Sequence, residues 1–218
     1  MHEIWAWLAT VATVVVLLAY EVVLTVAQRR RPEQMSRSAH ATLREDWFIA
    51  VSQQEGSEIL AVQTLRNSLM SATMTASTAT LGLIGTVTLA APSLHASFGP
   101  MAMLPRVTPQ LVLELLLLSL LFASLVCSAM AVRFYNHAGF ISGMPVESVA
   151  RRRWAGAGAV YVRRAGVLYS WGLRHLILVA PILACLLHPL AGPVAALAVV
   201  AVLVGFDRVA GNATPAEK

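Results

Sequence analysis

Of 218 residues, 57% are hydrophobic and only 12% are charged, with a mean hydropathy of +0.69. A water-soluble domain carries about 25% charged residues, so a soluble globular class is excluded. The net charge of +5 and pI near 9.9 would suit a nucleic-acid binder, but the arginines stand in connections between apolar runs, the positive-inside pattern of a membrane protein.

The first apolar run, residues 4–27, is long enough to span a bilayer. No basic segment precedes it and Arg29, Arg30 and Arg31 follow it, so it reads as a span with the N-terminus outside rather than as a cleavable signal. Trp5 and Trp7 suit the outer interface, and Glu21 places a carboxylate in the cytoplasmic half. Residues 35–54 then carry Met35, Ala39, Leu43, Trp47, Phe48 and Val51 at helical spacing, which predicts a cytoplasmic amphipathic helix on the membrane surface. Gly56 ends it and Ser57 caps the next helix.

The second span, residues 59–91, differs in kind. Sixteen of the twenty-four residues from Ser68 to Ala91 are Gly, Ala, Ser or Thr, with small residues every four at Ser68, Ala72, Ala76 and Thr80 and again at Thr78, Gly82, Thr86 and Ala90. Such residues let backbones approach closely, so this helix is expected at the centre of the bundle or at a homo-oligomer interface. The third span, residues 110–133, is leucine-rich and reads as lipid-facing, with Glu114 near its outer end. A connection bearing Arg151, Arg152, Arg153 and Arg163 leads to the fourth span, 166–187, which holds Arg174, His175 and Pro181. A short fifth span, 193–207, returns to Asp207 and the cytoplasm. The expected architecture is all-α: one membrane domain over 1–218, a polytopic bundle of about five transmembrane helices, N-out and C-in, plus the interfacial helix.

The run Leu60-Ala-Val-Gln-Thr-Leu-Arg-Asn-Ser-Leu-Met70 resembles the signature of a family of uncharacterised bacterial and plant membrane proteins, catalogued as domain of unknown function 599. Arg44-x-x-Trp47, Arg133-Phe-Tyr-Asn-His137, Gly172-Leu-Arg174, Pro181 and the tail from Gly192-Pro193 to Asp207 match as well, so the resemblance covers about residues 40–207. Leu176 and Ile177 depart from it, standing where aromatics are expected. The resemblance implies the fold class and brings no activity with it.

Charge inside a bilayer is costly and by default marks function. Gln63, Arg66, Asn67, Arg174 and Glu21 are therefore the candidates for a pathway or ligand site, with Asp207 and Arg133 as candidate structural ion-pair partners. The expected pairing sets Arg66 or Arg174 against Glu21. Arg66 lies only eight residues past Glu58, so snorkelling to the cytoplasmic surface is a competing reading, which suits the deeper Arg174 less well. Two arginines against one carboxylate favour an anion or an acidic headgroup.

Enzyme chemistry lacks support: there is no HExxH, GxSxG, P-loop or GxGxxG, and His137 and His175 stand alone. No cofactor is expected. Cys127 and Cys185 read as buried small hydrophobes. A copper site on Met70 and Met74, with Met101, Met103 and His95 nearby, is the weak metal alternative. The leading expectation is a multi-pass bacterial inner-membrane protein, an oligomeric channel or transporter-like bundle whose partners are lipid and copies of itself. The alternative is a non-catalytic structural or assembly subunit of a membrane complex.

Overall fold

The computed structural model describes residues 2–30, 36–98 and 107–208; Arg31, Met35, Met101, Met103, Arg106 and Lys218 lie outside them. Six helices follow in order: α1 (His2–Arg30), α2 (Ser36–Gln53), α3 (Glu58–Phe98), α4 (Pro109–Ser142), α5 (Val149–Leu187) and α6 (Ala191–Arg208). Four of them, α1, α3, α4 and α5, are long and apolar enough to cross a membrane, and α6 is a shorter apolar helix.

Local chemistry sets the ends. Gly56 takes φ +78, the left-handed conformation that closes α2. The Ser57 hydroxyl then donates back to the carbonyls of Val51 and Gln54, at 2.7 and 2.6 Å, so its side chain ties off α2 while its own carbonyl receives the Ala61 N–H. Thr108 caps α4 by accepting from Leu111 N, with Pro109 at the first helical position. Ser148 caps α5, accepting from Arg151 N at 3.1 Å. Pro145 lies in the connecting turn, not at a helix start, and α3 and α5 continue through Pro92 and Pro181.

The long helices overshoot their apolar spans. At about 1.5 Å per residue, the 41 residues of α3 and 39 of α5 are about 60 Å long, twice a hydrocarbon core of about 30 Å. Their polar halves gather at one end of the bundle, the arginine end, and two apolar cores stack along α4 and α5. One joins Leu17 and Tyr20 of α1, Leu113, Leu117 and Leu121 of α4, Leu178 and Ile182 of α5, and Leu203 of α6. The other, at the arginine end, joins Phe48 of α2, Leu65 and Ala72 of α3, Tyr135 and Ile141 of α4, and Val162 of α5.

Between the two cores, α4 and α5 cross closely. The Ser124 hydroxyl donates to the Gly172 carbonyl at 2.7 Å, and a Cβ on Gly172 would come within 2.4 Å of Ser128 Oγ. The leucine-rich α4, expected to face lipid, is thus interior: Leu111, Leu113, Leu117 and Leu121 are buried, whereas Leu115 and Phe122 face out. The small-residue α3, expected at the centre of the bundle or at a homo-oligomer interface, packs mainly along α4 within the chain. Its inward stripe is Ala61, Leu65, Ala72, Thr75, Ala79, Thr86 and Ala90, and most of its surface stays open. Small side chains permit close contact on every side of a helix, but one chain uses only one side; branched leucines at i, i+4 fill the larger gaps among several helices.

The helix expected at 35–54 is α2. It lies against α5 rather than presenting all its apolar residues to a membrane surface: Phe48 is 1% exposed. Two glycines of α5 make this seat. A Cβ on Gly158 would stand 2.4 Å from the Phe48 ring, and one on Gly166 would stand 2.4 Å from Arg44 Nη1. Arg44 and Phe48, one turn apart, therefore drop onto Gly166 and Gly158 with the two helices antiparallel.

Candidate functional site

Buried residues on α1 recur at Thr13, Leu17, Tyr20 and Leu24, the three-to-four spacing of one helix face. Tyr20 on that face meets a buried ion pair. Arg174 Nη2 on α5 lies 2.8 Å from Asp207 Oδ1 and 3.0 Å from Oδ2 on α6. The Tyr20 hydroxyl donates to Asp207 Oδ2 at 2.9 Å, and the guanidinium stands 5.3 Å from the centre of the Tyr20 ring. Three helices are pinned at one level by charge-assisted hydrogen bonds and a cation–π contact. Asp207 lies 16 residues beyond Ala191, about 24 Å along α6 from the 188–190 turn, close to the arginine end of that helix.

Of the expected set, Arg174 and Asp207 come together. Glu21 is half-buried, one step off the inward face of α1. Gln63, Arg66 and Asn67 do not join them: all three are exposed on the outward side of α3. Arg66 is 27 residues, about 40 Å, from Ser93, whose hydroxyl reaches Glu114 Oε1 at 3.3 Å. A core of about 30 Å cannot hold both levels.

Beside Arg66, α3 and α4 leave a groove of about 330 Å³ lined by Arg66, Leu69, Tyr135, Asn136 and Phe140. Asn136 and Phe140 also line an adjoining hollow of about 520 Å³ with Arg133 and His137. Arg133 is exposed there rather than paired with Asp207. Two arginines, an amide and a histidine thus face outward on one side of the bundle, over an apolar floor. Such a surface is basic, with guanidinium donors of the kind that pair with anionic groups. Met70 and Met74 are exposed on the same side of α3. Among the described residues no three His, Cys, Asp or Glu side chains gather in a way that could hold a metal ion.

Tyr20 is the partner that charge counting in the sequence missed; its place in the Thr13–Leu17–Tyr20–Leu24 stripe was the available signal. Arg151, which the sequence places in the connection before the fourth span, is 1% exposed. Its Nη1 donates to the carbonyls of Ser142 and Met144 at 2.5 and 2.6 Å, closing the end of α4.

The fold and this charge distribution define a helical membrane-protein bundle with a buried ion pair and an outward basic side. Over residues 8–211 the sequence matches the family described as protein of unknown function, DUF599, and the chain belongs to that family. No curated protein and no solved structure matches it.

Proposed function

We propose that the chain is a multi-pass protein of the bacterial inner membrane, crossing five times with its arginine end in the cytoplasm, and that it self-associates through α3 to form a channel or transporter-like assembly with an anion-attracting cytoplasmic mouth. The carrying observation is the exposure of Gln63, Arg66 and Asn67 on one stripe of α3, beside the grooves that hold Arg133 and His137. The stripe continues as Met70, Thr73, Met74 and Ser77, small or flexible side chains suited to close contact with a second α3, and then as the apolar Leu81 and Ile84. The positive-inside rule sets the orientation. Arg174 is already neutralised by Asp207, so the attraction belongs to Arg66 and Arg133.

The test is anion efflux from liposomes containing the purified protein, with its oligomeric mass measured in the same preparation. Arg66→Gln with Arg133→Gln is expected to lower chloride efflux at least tenfold in an unchanged oligomer. A monomer, or efflux indifferent to both substitutions, overturns the reading. The second reading, a structural or assembly subunit, is favoured by the apolar far half of the same stripe; it predicts a tight α3–α3 contact and no efflux from any variant.

A further inference from the structure

At the end opposite the arginines, α1, α3, α4 and α5 line a half-open cavity of about 410 Å³, with Thr10, Thr86, Leu117, Leu183, Cys185 and Glu114 among its walls. This is the size of a small-ligand pocket, which is typically about 300–1,000 Å³ and mostly apolar with a few fixed polar groups. Glu114 is 5% exposed. Its Oε1 accepts from Gln110 Nε2 at 2.8 Å and from Ser93 Oγ at 3.3 Å. Its Oε2 is buried and receives no hydrogen bond from the described residues. No described arginine or histidine pairs with Glu114. A buried carboxylate oxygen without a donor costs free energy that a bound donor recovers. Gln110 and Ser93 hold Oε1 from α4 and α3; Oε2 is shielded by its surroundings, and a bound donor reaches it by turning the carboxylate toward the cavity that Glu114 lines.

We propose that this cavity binds a small organic ammonium ion: an N–H of the cation donates to Glu114 Oε2 while its apolar body packs against Leu117, Leu183 and the Thr86 wall. The site lies at the far end of the bundle from Arg66 and Arg133 and takes the opposite charge, so it stands or falls independently of the anion-attracting mouth.

An isosteric series tests it. Equilibrium dialysis of 1-adamantylamine, 1-adamantanol and 1-adamantanecarboxylate against the protein in nanodiscs, with empty nanodiscs subtracted, separates charge from shape. The amine is expected to bind at least tenfold more tightly than the alcohol, and the carboxylate not at all. Glu114→Gln is expected to bring the amine down to the alcohol's affinity while leaving the alcohol unchanged. Ala6→Phe, which fills the cavity from a half-buried lining position, is expected to abolish binding of both. Equal binding of amine and alcohol to the unaltered protein overturns the proposal even if Glu114→Gln fails to fold. Retained amine preference in Glu114→Gln, or undiminished binding to Ala6→Phe, overturns it as well.

Discussion

Arg174 and Asp207 meet at 2.8 Å between α5 and α6 with side chains 7% and 15% exposed. Removing one partner from such a pair leaves a charge in an apolar surrounding, whereas replacing both removes the desolvation penalty along with the attraction. Asp207→Asn is therefore expected to destabilise the bundle by about 3–5 kcal/mol. The double variant Arg174→Met/Asp207→Leu should recover most of that loss. Denaturant unfolding in detergent micelles measures both, and a double variant as unstable as the single one would contradict this account of the pair.

Tyr20 contributes in two separable ways, through its hydroxyl on Asp207 at 2.9 Å and its ring beneath the Arg174 guanidinium. Tyr20→Phe keeps the ring and deletes one hydrogen bond to a charged group, with an expected cost of about 1.5–3 kcal/mol. Tyr20→Leu deletes both and should cost more. Equal losses in the two variants would show that the ring contributes nothing beyond its bulk.

How much of this was legible in the sequence follows from which physical signals are local. Hydropathy set the helices because each span must satisfy its own backbone hydrogen bonds in lipid, and that requirement is written within the segment. Helix ends beyond the bilayer carry no such demand. The polar continuation of α4 to Ser142 and the start of α5 at Val149 accordingly fall within what the sequence marks only as a connection between spans. Depth counting found Arg174 and Asp207 as ionic groups but could not match them, because their pairing depends on how α5 and α6 turn about their axes. The small residues of α3 promised close contact without naming the neighbour. Gly158 and Gly166 of α5, which do seat another helix, were hidden in a run read as a connection.

The α4–α5 crossing leaves no room for one more carbon. A Cβ on Gly172 would meet Ser128 Oγ at 2.4 Å and the Ser124 carbonyl and Ser128 nitrogen at 3.2 and 3.3 Å, and the last two are backbone atoms that move only with the helix. Gly172→Ala is expected to lose about 1–3 kcal/mol by overpacking, despite the higher helix propensity of alanine. Thermal unfolding by circular dichroism reads it; a rise in melting temperature would mean that the helices separate without cost.

At the arginine end the seat of α2 is tested at Gly158. Alanine there would push the Phe48 ring, which is also confined by Ile141 on the far side of the notch. Gly158→Ala is expected to loosen α2 by about 1–3 kcal/mol. Adding Phe48→Leu, which shortens the intruding side chain, should restore part of the loss. Protease sensitivity of the 54–57 turn follows α2 docking directly, and unchanged cleavage in Gly158→Ala would show that the helix is not held by this contact.

Arg151 is a further group whose role can be isolated, because its guanidinium reaches two backbone carbonyls of the 142–148 connection. Its Nη1 donates to the carbonyl of Ser142, one of the acceptors that a helix leaves open at its C-terminal end, and to that of Met144 in the turn beyond. Deleting the guanidinium orphans both carbonyls but also removes a buried charge, so global stability is a poor readout. Local opening is the sharper one. The Met144 and Ser148 amides are held by the Ile141 and Pro145 carbonyls at 3.3 and 3.0 Å, and their exchange reports whether the turn stays closed. Arg151→Met is expected to speed that exchange at least tenfold while α4 and α5 amides near Ser124 and Gly172 stay protected. Arg151→Lys, which keeps a donor but not the planar fork, should fall between the two. Exchange unaffected by Arg151→Met would assign closure of the turn to the Ser148 cap alone.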